Sequence, residues 1–376
     1  MYSPQALWSA VHEEVPVVFV ILNNLEYGIL KNFMLSQPQY SAKEHGFLAM
    51  DLCHPKYKAK MCNSYQPADK PTMYFIGVTT AKSSINKVFP LWAKYLTLGS
   101  CQLVGIDFKP HAEPRLYQEA IEFIEHDPLS LGALVTTHKI DLFRACREIF
   151  GAIDPLSDSM EEVSSIYKRN GKLNARAVDP ISSGLALQAF LPPNHWKTTN
   201  AEVYIMGAGG SSMALTWHLV QRHHEVDRPS TIHVANRSKP RLDHLVKLHA
   251  SWNSEIPLKC HLIAEPAEAD AILRLLKSGS LIVNATGLGK DAPGSPLTGN
   301  AEFPLNSVVW EFNYRGDLLF LKQAKAQEAA RNLTIEDGWI YFVHGWTRGV
   351  ADVFNVEIPT HGPELDELSR IAASAR

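Results

Sequence analysis

From Met73 onward the chain alternates short apolar runs with amphipathic segments. "MYFIGV" (73–78), "CQLVGIDF" (101–108) and "LGALVT" (131–136) have the length and apolar content of buried strands. Between and after them, "INKVFPLWAKYL" (85–96), "PRLYQEAIEFIEH" (114–126) and "KIDLFRACREIF" (139–150) repeat apolar residues at helical spacing. Strands alternating with helices predict βαβ units on a parallel sheet. "EEVSSIYKRNGKLNARAV" (161–178) reads as two strands around Arg169-Asn170-Gly171, a hairpin signal. "PPNHWKTTN" (192–200) interrupts the pattern and marks a boundary. A second alternation then begins: strand 201–207, helix 211–223, strand 230–237, helix 240–252, and strands 258–264, 279–286 and 306–314. From about Asp317 the pattern predicts a mostly helical tail. Residues 35–72 are polar and aperiodic and read as a linker; ahead of them, Pro4–Val11 reads as helix and Val15–Leu22 as strand.

Composition narrows the class. The chain has 376 residues, 45% hydrophobic and 20% charged, long enough for two or three domains with cores. A net charge of -3 offers no footprint for nucleic acid or an anionic membrane. No apolar run reaches 18 residues, so a soluble, cytoplasmic protein is expected. Five scattered cysteines without a CxxC pair point to a reducing compartment and no disulfide framework. Cys53, His54 and Cys62 lack a fourth ligand nearby, so no metal site is expected.

The densest chemistry lies in "VYIMGAGGSSMALTWHL". A strand ends at Gly207, and Gly207-Ala208-Gly209-Gly210 turns into a helix near Ser211. Glycines let the backbone approach a pyrophosphate closely, and a helix N-terminus offers free N–H donors. The next strand ends in Asn236, Arg237 and Ser238, with Arg241 behind. An NAD site usually presents a carboxylate to the ribose there, which would repel a 2′-phosphate; a guanidinium would bind it. The residues therefore favour NADP. Asn284, Ala285 and Thr286 end a later strand, where ligands bind in open α/β sheets.

Residues 73 to about 376 resemble the shikimate dehydrogenase family. The resemblance is carried by "GVTTAKSS", "VTTHK", "NGKLNARAVDPISSG", "GAGGSS", "NRS", "VNATGLGK" and "WEFNY", in the family's order. It implies a two-domain α/β enzyme. A substrate-binding catalytic domain (73–182) would be completed by C-terminal helices (about 345–376), and a Rossmann-like NADP domain (183–344) would lie between. It also implies NADPH-dependent reduction of 3-dehydroshikimate, or a related cyclic keto acid, with Lys139 and Asp179 as the catalytic pair. Substrate would be bound by Ser83, Ser84, Thr136, Ser164, Tyr314 and His344. The oligomeric state stays open between monomer and homodimer. Several positions depart from the family: Thr137 replaces a proline, Ile85 a serine, Ser164 an asparagine, Ala177 and Val178 an Asn-Thr pair, and His344 a glutamine. These changes put apolar groups where a hydroxylated ring would want partners. They leave open a quinate or aminoshikimate dehydrogenase, or a non-catalytic NADP-binding sensor. Residues 1–34 resemble a segment of thiamine-diphosphate enzymes of the benzoylformate decarboxylase type. The aspartate that would bind metal there is missing, so a remnant is expected.

Overall fold

The computed structural model describes residues 65–221, 226–290 and 292–376. The readings made for residues 1–34 and for Cys53, His54 and Cys62 lie outside these. Pro67–Arg376 form one compact unit.

The first half builds β1 (Thr72–Gly77), α1 (Ile85–Tyr95), β2 (Gln102–Asp107), α2 (Pro114–His126), β3 (Ser130–Val135), α3 (Lys139–Cys146), β4 (Ala152–Ile153), α4 (Pro155–Met160), β5 (Ser165–Arg169) and β6 (Lys172–Arg176). All six residues of β1 are buried, as expected of a strand covered on both faces. Helix α2 starts with proline at its first turn and buries Tyr117, Ala120, Ile121 and Ile124, a single stripe. The sheet runs β2-β1-β3-β5-β6-β4, parallel from β2 to β3 and antiparallel through the β5–β6 hairpin. At the hairpin tip Asn170 and Gly171 both have positive φ, 54° and 69°, the backbone that an Asn-Gly turn between twisted strands requires.

The second half contains α5 (Asp179–Phe190), α6 (His195–Thr199), β7 (Val203–Met206), α7 (Gly210–Val220), β8 (Ile232–Asn236), α8 (Lys239–Ser251), β9 (Leu258–Leu262), α9 (Pro266–Leu273), β10 (Leu281–Asn284), β11 (Val308–Glu311), α10 (Leu319–Lys325), α11 (Glu328–Arg331), β12 (Thr334–Glu336), α12 (Trp339–Phe354) and α13 (Pro363–Ser374). Its sheet is parallel throughout, in the order β12-β11-β10-β7-β8-β9. The direction of winding reverses between β7 and β10, and such a switch point opens a crevice at the carboxyl ends of the strands. This is the expected two-domain, Rossmann-like α/β architecture.

Some elements differ from the sequence reading. Helices α4, α5 and α9 and strands β4 and β12 lie where the sequence pattern predicts no such element. Strand β12 has three residues, too few for a period, and forms only because Val308–Trp310 offer a parallel edge. The boundary segment 192–200 holds the short helix α6. The expected divisions at 182/183 and 344/345 fall inside α5 and α12, two unbroken helices. Helix α12 serves both halves. Phe342, Val343 and Trp346 join the core of the first sheet with Met73 and Phe75, while Ile340 and Tyr341 pack on that of the second. Among the described residues no helix is long and apolar enough to cross a membrane.

Candidate active site

Strand β3 ends at Val135, and the Thr136–His138 turn delivers Lys139 as the first residue of α3. His138 clamps this turn: its Nδ1 accepts from the Tyr117 hydroxyl (2.8 Å) and its Nε2–H donates to the Gly77 carbonyl (3.2 Å). Burial lowers the His138 pKa, which keeps the ring neutral and able to do both. Forty residues on, Asp179 opens α5. Ser164 Oγ accepts from the Val178 N–H (2.8 Å) and so fixes the backbone just before the carboxylate.

Lys139 and Asp179, both buried, form an ion pair. Asp179 Oδ2 also accepts from the Tyr341 hydroxyl (2.8 Å) and from Ser211 Oγ (3.3 Å). Desolvation lowers the Lys139 pKa to about 8; Glu162 pulls it back up and Lys290 pushes it further down. Burial raises the Tyr341 pKa, so its hydroxyl stays a donor.

The pair opens on a cleft of about 270 Å³. One wall is the first sheet, with Val78, Thr79, Thr136 and Thr137. Gly209, Gly210 and Ser211 from the turn into α7, with Ala285 and Thr286 after β10, face it. Tyr314, Arg315, Tyr341 and Trp346 close the end. Beside the Lys139–Asp179 pair, Lys290 and Arg315 put two further cations on the lining, which suits an anionic ligand.

The glycine turn fits a dinucleotide. Gly207 has φ of 111°, and a Cβ there would lie 2.7 Å from the Ala285 carbonyl oxygen, so the two strand ends meet at a contact only glycine allows. At Gly209 a Cβ would meet nothing, leaving open space over the turn. Helix α7 has no side-chain cap, so its first N–H groups are available to an anion. Arg237 is exposed at the end of β8, Asn236 turns back toward the Ser238 carbonyl (3.4 Å), and Arg241 is paired with Asp141 (3.1 Å).

Several expected residues stand elsewhere. Ser83 lies behind the lining and shares a hydrogen bond with Tyr314 (2.9 Å). Ser84 precedes α1 without a side-chain capping bond and does not line the cleft. Ser164 is committed to Val178, as above. His344 is buried off the lining, although its neighbours Gly345 and Trp346 reach it; burial and Arg348 lower its pKa to about 4. Asn284 is fully buried and works from behind. Its Oδ1 accepts from the Thr286 N–H (3.0 Å) and hydroxyl (2.7 Å), while its amide donates to Glu311 (2.7 Å). Glu311 also accepts from both nitrogens of Asn313 (2.8 Å each). Gly207 and Ala208 form the turn beneath the lining. The sequence reading did not single out Tyr341, Glu162, Glu311 or Asn313. Tyr341 carries no local signal. Nor does Glu162, while Glu311 and Asn313 announce themselves only as polar residues within an apolar strand end.

No family model matches the chain. It is similar to the NADP(+)-linked shikimate dehydrogenase of Lactococcus lactis subsp. cremoris, 28% identical over 190 residues, which are 48% of this chain and 62% of that relative. The chain thus spans less than two thirds of that relative's length. Among solved structures it resembles a shikimate dehydrogenase in complex with NADP+, with a TM-score of 0.60 at 18% identity, covering 83% of this chain and 97% of the other. It also resembles the Thermus thermophilus shikimate 5-dehydrogenase in complex with NADP(H) and shikimate, with a TM-score of 0.58 at 19% identity, covering 81% and 99%. At these identities the structural likeness establishes the fold.

Proposed function

We propose that the protein is an NADP-dependent oxidoreductase that reduces the ketone of a small cyclic keto acid, 3-dehydroshikimate in the first instance, to the alcohol. The observation that carries this reading is the buried Lys139–Asp179 pair, set in a cleft whose facing wall is an uncapped glycine turn. The similarity to NADP(+)-linked shikimate dehydrogenases supports it.

NADPH, when bound, supplies the hydride. The chain's own residues do the rest. The Lys139 ammonium donates a hydrogen bond to the ketone oxygen and gives up its proton as the alkoxide develops. Asp179 holds the ammonium in place and favours its charged form. Tyr341 and Ser211 hold the carboxylate in turn. Arg315, which donates to Thr79 Oγ1 (3.0 Å), presents a guanidinium to the carboxylate of the substrate. Arg237, Ser238 and the N-terminus of α7 would receive the phosphates. Collecting the reactants in one cleft lowers the barrier by up to about 7–11 kcal/mol in favourable cases.

A second reading, the same chemistry on a related cyclic hydroxy acid and its ketone, such as quinate or an aminoshikimate, is favoured by the lining itself. Ser164, Ser84 and His344 are withdrawn from it, and Ile85 is buried. One experiment separates the readings: NADPH absorbance followed with NADP+ and each of shikimate, quinate and aminoshikimate. Turnover with one of them that disappears in Lys139→Ala supports ketone reduction and names the substrate. Full activity in Lys139→Ala overturns the mechanism. Tight NADP binding without turnover on any acid overturns the enzyme reading in favour of a sensor.

A further inference from the structure

Glu162 is a buried carboxyl that the proposed reaction does not use. It follows Glu161, whose left-handed backbone (φ 50°) ends α4. The two neighbours have opposite surroundings. Glu161 points outward to Arg144 (3.0 Å), His244 (3.8 Å) and Lys247 (3.9 Å). Glu162 points inward, fully buried, and neither carboxyl oxygen has a hydrogen-bond partner among the described residues. Its backbone is pinned on both sides: its N–H donates to the Ser157 carbonyl (3.2 Å), and its own carbonyl accepts from the Ser157 hydroxyl. The Val163 N–H donates to the Lys139 carbonyl (3.2 Å), which ties this segment to the start of α3.

The carboxyl lies between the glycine turn and the lysine stem. A Cβ built on Gly210 would fall 2.3 Å from Glu162 Oε2 and 3.2 Å from Lys139 Cδ. An orphan carboxyl in a core is destabilising, and an apolar residue there would be more stable. What it gains in exchange is proximity to one cation.

We propose that Glu162 is a positioning residue for Lys139: a second carboxyl that acts on the ammonium through space, from behind the glycine turn, and sets the pH range over which Lys139 can give up a proton. It rests on the reading of Lys139 as the proton donor. The groups facing Lys139 are Asp179 from α5, Tyr341 from α12 through Asp179, Lys290 from the loop after β10, and Glu162. Burial and Lys290 act against the ammonium, and Glu162 acts for it. Burial also raises the Glu162 pKa, and Lys139 lowers it, so the two groups are electrically coupled.

The test is a pH titration of the full-length protein carrying lysine labelled with carbon-13 at Cε, the Lys139 resonance being assigned by its absence in Lys139→Met. Glu162→Gln removes the charge and keeps the shape. Its Lys139 midpoint is expected about one pH unit or more below that of the wild type. The alkaline limb of kcat should move the same way. An unchanged midpoint overturns the proposal. If Glu162→Gln does not fold, Glu162→Ala carries the same measurement. Failure of both to fold makes Glu162 structural and also overturns the proposal. A wild type that turns over none of the acids sinks the assigned reaction, while the resonance midpoint still judges Glu162.

Discussion

Lys139 is buried on all sides except the cleft, and desolvation sets its pKa at about 8, below that of a free lysine. The proton it must donate is present below that value and absent above it. Turnover in the reductive direction is therefore expected to fall with rising pH, with a midpoint near 8, when kcat is measured across the neutral to alkaline range. Tyr341 supplies one of the hydrogen bonds to Asp179, so Tyr341→Phe should lower kcat about tenfold and leave KM almost unchanged. A larger change in KM than in kcat would place Tyr341 at the substrate instead. Lys139 and Asp179 are legible in the chain because each sits in a motif that carries the family resemblance, "VTTHK" and "NGKLNARAVDPISSG". Tyr341 and Glu162 are not, since a tyrosine in an amphipathic helix and the second of two glutamates have no distinguishing neighbours. They become notable only through burial and through what lies opposite.

At the ends of β10 and β11 a buried network holds the loop that lines the cleft. Glu311 is its hub, accepting from Asn284 and Asn313, and burial raises its pKa to about 7 despite those hydrogen bonds. A carboxyl whose folded value exceeds its unfolded value of about 4.5 binds more protons in the native state between the two. Stability should thus decline as pH rises from about 4.5 to about 7. Urea melts across that range should show the decline in the wild type and its loss in Glu311→Gln. The turn after β7 makes the complementary prediction. Gly207→Ala introduces a side chain at φ of 111° against the Ala285 carbonyl, so it should cost about 2 kcal/mol in the same melts and weaken NADP+ binding. The glycine turn and the strand before it were readable locally, from spacing and apolar run. The partner it touches, after β10, lies far along the chain and could not be read from either segment alone.

For the molecule as a unit, Pro67–Arg376 form a self-contained body with both sheets, the cleft and the glycine turn. A protein beginning at Pro67 is expected to fold and to bind NADP+ with an affinity within about twofold of the full chain, by calorimetry. A large loss of affinity would assign residues before 67 to the site. The alternation of strand and helix, the hairpin at Asn170-Gly171 and the dinucleotide turn follow from local physics, apolar period and glycine freedom, whereas the lysine–aspartate pair is legible only through the family resemblance of "VTTHK" and "NGKLNARAVDPISSG". The limits of the halves do not follow from local physics, because α5 and α12 run unbroken past the expected divisions, and α12 packs on both cores at once. Nor does the lining of the cleft. Ser164, Asn284 and His344 are polar and well placed in the chain, yet burial commits the first two to backbone and side chains behind the wall and turns the third away. A side chain's type limits the bonds it can form. Which of them it forms depends on neighbours brought from distant parts of the chain, and those are chosen by packing.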